Sequence, residues 1–242
     1  NVNANNDTYV AWLWKALDHD RNLPVIDNQG SITSLVSANI EAGFSITKYI
    51  GNGSNGATVS HGLSNSPNLW IIKQTDGTQN WLVGSSSLLG ATDRYLMLDD
   101  NAAEKTNAPN IWSIGTNTIT FPTSYSGTNN NGSEYIMYSF REISGYNKFG
   151  TYSMSTNNAV TVDVGFAPQF VLLKEINRAA SWIIVDNQRN LSGNYVARIF
   201  PDQNIQESSG QQIQISGNTF QINWGSTGNN DNGGTGIYFA IK

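Results

Sequence analysis

The chain contains no cysteine. Disulfides, thiolate metal sites and cysteine nucleophiles are therefore excluded, and stability must come from core area or from assembly. Charge is also scarce. Only 13% of the 242 residues are charged, and 13 scattered basic residues stand against 18 acidic ones for a net charge of −5. Such a balance leaves no electrostatic footprint for nucleic acid. No apolar run approaches the roughly 20 residues that span a bilayer, and no basic-then-apolar leader opens the chain, so membrane insertion is not expected. Opening at Asn1 is expected of a product that has lost its initiator methionine or been cut from something longer. With two histidines, His19 and His61, the material for an activated imidazole is thin.

What the chain does have is Gly, Ser, Thr and Asn in abundance and 11% aromatic residues, seven of them tryptophan. That composition suits many short strands joined by tight turns around a packed core, and argues against disorder. One stretch is written twice. Asn68-Leu69-Trp70-Ile71-Ile72-Lys73, then Trp81, returns as Gln169-Phe170-Val171-Leu172-Leu173-Lys174, then Trp182. Pro67, Lys73 and Trp81 reappear at Pro168, Lys174 and Trp182, a constant offset of 101 residues. Each copy combines a proline, an apolar run, a lysine, a polar turn and a second run, which reads as a hairpin.

A second pattern occurs three times. Val10, Trp12 and Trp14 alternate like Ile136, Tyr138 and Phe140, and like Ile237, Phe239 and Ile241. Alternate strand positions share a face, so all three sets are expected to point into the core. Each run ends in a base and follows an Asn/Gly-rich turn built of residues that tolerate positive φ. The spacing predicts an all-β fold of two tandem sandwich or jelly-roll-like repeats of about 100 residues. Residues 43–141 form the first repeat and 142–242 the second. Residues 1–16 are a leading strand equivalent to a closing strand, and 17–42 are a linker or insertion with a short strand near 30–36. Few helical signals occur; residues 101–106 could make one turn.

Tyr9-Val10-Ala11-Trp12-Leu13-Trp14-Lys15-Ala16, Gly30-Ser31-Ile32-Thr33-Ser34, Gly43-Phe44-Ser45-Ile46 and His61-Gly62-Leu63 ahead of Pro67 carry a family likeness. The chain resembles repeat-containing virion proteins of marine bacteriophages and cyanophages, of the tail-fibre or tail-associated kind. The resemblance covers almost the whole chain and implies an extracellular-facing place in the virion. It also implies other virion subunits as partners, a homo-oligomer (a trimer is the usual form) and a host-surface glycan as ligand. A capsid-decorating or purely structural subunit, or an extracellular carbohydrate-binding module, are the alternatives. The family's motifs are scaffold, and they carry no catalytic residues over to this chain.

The residues themselves point the same way. His61 has Val164 as its repeat counterpart, so the position tolerates an apolar side chain and reads as a half-buried strand-end histidine. His19, between Asp18 and Asp20, reads as a solvated loop rather than a metal site. Asp99 and Asp100 are adjacent and would face opposite ways on a strand, unlike a glycosidase pair across a cleft. Trp12, Trp14, Trp70, Trp81, Trp112, Trp182 and Trp224 read as core. No enzyme, cofactor or metal is expected. Recognition is expected where the repeats diverge, since loops can vary without touching the core. Asp99, Asp100 and Asn101 in one repeat, and Asp202, Gln203 and Asn204 in the other, are the candidate contact residues.

Overall fold

A computed structural model describes residues 5–6, 8–16, 24–88, 93–106, 110–154, 159–190, 192–210, 212–223 and 233–242. The first half runs β1 (Val25–Asp27), β2 (Ser34–Asn39), β3 (Phe44–Ile50), β4 (Ala57–Ser60), β5 (Leu69–Gln74), β6 (Leu82–Ser85), β7 (Leu96–Met97), β8 (Ser113–Ile114) and β9 (Thr118–Phe121). A single-turn helix, α1 (Ser126–Asn129), then leads into β10 (Glu134–Phe140). The second half runs β11 (Asn147–Ser153), β12 (Val160–Asp163), β13 (Phe170–Glu175), β14 (Ile183–Asn190), β15 (Val196–Ile199), β16 (Ile213–Ser216), β17 (Thr219–Ile222) and β18 (Thr235–Ile241).

The halves share one strand order. In the first, β3-β10-β5-β6-β7 forms a large sheet and β4-β9-β8 a small one; in the second, β11-β18-β13-β14-β15 and β12-β17-β16 do the same. Each half is an antiparallel sandwich, and the fold is all-β. The reason lies in the period-two alternation of its strands. On β10, Tyr135 and Met137 face the small sheet, while Tyr138 and Phe140 face the other way. On β18, Tyr238 and Ala240 face their small sheet, while Ile237, Phe239 and Ile241 face away from it.

Those outward faces meet each other. Phe44, Leu69, Val83 and Phe140 of the first half pack against Phe149, Phe170, Leu172 and Phe239 of the second. The rings of Phe140 and Phe239 lie 5.0 Å apart, and Phe149 stacks on Phe239 at 4.5 Å. The order of layers is therefore small sheet, large sheet, large sheet, small sheet. The second large sheet is covered on both faces along β13, and for this reason all six residues of β13 are buried and Phe170 to Leu173 run apolar without alternation. Of the three alternating triplets, Trp12, Trp14, Tyr138, Phe140, Ile237, Phe239 and Ile241 meet at this central seam, whereas Ile136 is half-buried outside it and Val10 is exposed, contrary to the expectation that all nine point into the core.

Several expectations need correction. Residues 8–16 enter no sheet, although burial alternates as in a strand from Ala11 to Ala16. They lie across the seam, where the large sheets already supply every closing position from β10 and β18. Residues 24–42 are more than a linker: β1 and β2 extend the first large sheet to seven strands, with β2 pairing β3 along its whole length. The strand expected near 30–36 begins only at Ser34. No helix forms at residues 101–106, where Lys105 instead bridges Tyr95. The helical turn falls at Ser126–Asn129, inside an Asn/Gly loop.

Candidate functional site

A cleft of about 290 Å³ opens where segment 10–14 crosses the second large sheet. Its walls are Trp12, Phe170 and Tyr146, and its rim carries Gln169, Asn187, Gln188 and Lys242. Alternation puts Trp12 on the inward side of its segment. There it meets Phe170 edge-on at 5.5 Å and donates from Nε1 to Asp186 Oδ2 at 3.2 Å. The Arg189 guanidinium sits 5.6 Å from the centre of the Trp12 ring and donates to the same carboxylate oxygen at 2.9 Å. Asp186 Oδ1 accepts the backbone N–H groups of Gln188 and Arg189, each at 3.1 Å. The buried carboxylate is thus saturated by donors and holds the wall in place; it has no lone pair set aside for acid–base work. What the cleft offers a ligand is aromatic surface and side-chain amides of little charge. Gln188 and Asn187 already join through an amide–amide hydrogen bond of 2.9 Å.

The six candidate contact residues lie elsewhere, at the seam's edge. Asp99 Oδ1 accepts the Trp81 N–H at 3.1 Å, and Asp202 Oδ1 accepts the Trp182 N–H at 3.0 Å, the same task in both halves. Asp100 closes a turn onto the Ala102 N–H at 2.8 Å. The Asn101 carbonyl reaches into the second half, accepting from Lys174 Nζ at 3.2 Å and from the Ala180 N–H at 2.8 Å. Gln203 bonds Ser181, and Asn204 is exposed. The two loops meet around one buried ammonium: Asp100 and Asp202 both act on the charge of Lys174. Burial drives that lysine down to about 8 against the support of Asp202, Glu175 and Asp100. Lys174 also donates to the carbonyls of Ala180 at 2.6 Å and Glu175 at 2.9 Å. Lys73 does the matching work on Gln79 at 2.5 Å and Gly77 at 3.3 Å. A repeated lysine at the end of a repeated strand was visible in the sequence, whereas its use as a turn clamp was not.

His61 is completely buried rather than half-buried. Its Nδ1 accepts the Leu63 N–H at 3.1 Å, so Nε2 carries the proton and faces the Gly115 carbonyl at 3.3 Å. Burial lowers its pKa, which keeps it neutral and structural. His19 and Trp224 lie outside the described residues. Trp70, Trp112 and Trp182 are fully buried as expected. Trp81 is only half-buried and stacks on Tyr138 at 6.4 Å, because its repeat mate Trp182 alone is roofed by the other half. Among the described residues no group of three or more His, Asp or Glu side chains is placed to hold a metal ion. The cleft residues were missed in the sequence because Gln169, Asp186 and Lys242 converge only through sheet pairing: Phe170 pairs with both Ile241 and Asp186.

The sequence matches, over residues 1–242, a family described as a domain of unknown function, DUF7483. No curated protein matches. Among solved structures, a conserved protein of unknown function from Pseudomonas aeruginosa PAO1 aligns at 10% identity over 91% of this chain and 93% of that one, with a TM-score of 0.26.

Proposed function

We propose, for a chain that belongs to the DUF7483 family over its whole length, a non-enzymatic role as a virion module of the tail-fibre or tail-tip kind that touches a neutral glycan of the host surface. The observation that carries this reading is the seam cleft. Its Trp12, Tyr146 and Phe170 surface lies beside the amides of Gln169, Asn187 and Gln188, and its one buried carboxylate is tied up structurally. Aromatic surface beside uncharged donors and acceptors suits a sugar ring, which presents apolar C–H faces edged by hydroxyls. The strand positions of Phe170 on β13 and of Asn187 and Gln188 on β14 support the reading, because side chains on paired strands need little ordering when they bind.

The test is titration of the protein with host-surface polysaccharide, followed by tryptophan fluorescence, with Gln169→Ala/Gln188→Ala as the impaired variant. Saturable binding that weakens about tenfold in the variant, the size of one or two lost hydrogen bonds, is the expected result. Binding that is absent, or unchanged in the variant, overturns the cleft reading. Immunogold labelling of particles tests the location separately: label on the capsid shell would favour the decorating subunit, and no label would remove the virion from the account.

A further inference from the structure

The two halves differ at one place inside the second sandwich. On β15, Arg198 lies opposite Val185 and shares its face, turned toward the small sheet. The same ladder position in the first half is Tyr95. Leu96 pairs with Val83 as Ile199 pairs with Ile184, and Tyr95 bridges Lys105 as Arg198 bridges Ser208. Ile111 stands two residues ahead of the paired Ser113, and Gln212 stands two ahead of its counterpart Gln214. Tyr95 packs edge-on against Trp112, and Ile111 is fully buried. The fold can therefore build this position from an aromatic ring and an aliphatic side chain, and needs no charge there.

In the second half Arg198 is only 5% exposed, and among the described residues no carboxylate pairs with it. Its Nη2 donates to Ser208 Oγ at 2.8 Å, its guanidinium lies 5.4 Å from the centre of the Phe200 ring, and its buried Nε has no acceptor. Burial pushes its pKa down. A buried cation without a counter-charge costs stability unless something supplies that charge. Gly210 passes beside it: a Cβ there would come within 2.9 Å of Arg198 Nη2 and 3.1 Å of Gln212 Nε2, so two donors converge on one spot. We propose that Arg198, Ser208 and Gln212 bind an oxyanion, the carboxylate, sulfate or phosphate group of a ligand, at the edge of the second sandwich. Nε and Nη2 form one edge of the guanidinium, the side that receives two oxygens in parallel. Ser208, Gly210 and Gln212 are half-buried, so the site borders solvent along the loop after β15. It lies on the face of the sheet turned away from the seam cleft and does not depend on that cleft's ligand.

Thermal melting of the full chain in acetate, sulfate or phosphate, against chloride at equal ionic strength, tests the site. At least one of the three oxyanions should raise the wild-type melting temperature saturably at millimolar concentration. Gln212→Glu places a carboxylate beside Arg198 at unchanged side-chain size. It should melt higher than wild type in chloride and need at least ~10-fold more of that oxyanion for the same further shift. Arg198→Tyr/Gln212→Ile copies the residues of the first half and should keep the fold while losing the response; Gln212→Glu carries the test alone if that double variant does not fold. Equal responses in wild type and variant are the general effect of excluded salts and overturn the proposal. So does a wild type indifferent to all three oxyanions, or a Gln212→Glu variant that melts below wild type in chloride.

Discussion

Two lysines separated by 101 residues clamp the same turn, but one works in water and the other under a roof. Lys174 is fully buried and binds three carbonyls, one of them across the seam, whereas Lys73 is half-buried. Lys174→Met should therefore cost about 1–3 kcal/mol for carbonyls left without a donor, and Lys73→Met clearly less, since water can replace it. Denaturant midpoints check the difference. The two tryptophans divide in the same way. Trp182→Ala should cost about 3–5 kcal/mol and Trp81→Ala less than half of that, since a half-buried ring leaves little cavity. The sequence showed that these residues correspond; it could not show which copy the other half covers.

Titration follows from the same burials. His61 has its pKa lowered in the folded state, so below its ordinary value of 6.5 the unfolded chain binds the proton first. Stability from His61 is thus present at neutral pH and is lost as pH falls from about 6.5. A His61→Val variant, copying Val164, should show a smaller loss between neutral pH and the onset of carboxylate titration. At the alkaline end the signs oppose each other. Lys174, held down to about 8 against an ordinary 10.5, adds stability as pH rises between those values, because the unfolded chain holds more protons there. Tyr49, Tyr95, Tyr135, Tyr138, Tyr152 and Tyr238 are all raised by burial, so above about pH 10 the unfolded chain loses protons that the folded chain keeps. Stability should collapse there, read as loss of near-ultraviolet tertiary signal; a fold that keeps that signal well above pH 10 would contradict the burials.

At the scale of elements, the hairpins read true because every signal in them is local: proline, apolar run, turn. Segment 8–16 misled for an equally physical reason. Its pattern records which side is apolar, but a strand also needs a free neighbour, and that is not written in the strand itself. Within the sheets, glycines are fixed by what lies across the ladder. Gly84 pairs with Trp70, and a Cβ there would come within 2.2 Å of the indole; Gly236 stands in the same relation to Tyr152. Gly84→Ala should destabilise by roughly 1–3 kcal/mol through overpacking. An unchanged melting temperature would mean that the indole can step aside.

For the whole molecule, the apolar faces of the two large sheets make neither half a self-contained body. One calorimetric transition is expected rather than two, with Phe140 and Phe239 melting together. Two resolved transitions would show that the seam couples the halves weakly. The candidate loops were legible as divergent, and the reason is now plain. Asn101 and Lys174 reach across a contact that the first half makes from one edge and the second from another, so the two copies could not remain alike there.

The seam also fixes what the second half would do alone. Residues 142–242 made as a separate fragment would carry the aromatic face of Phe149, Phe170 and Phe239 into water, a patch that soluble monomers rarely tolerate. Such a fragment should associate with itself through this face. Phe239→Lys in the fragment should then abolish self-association.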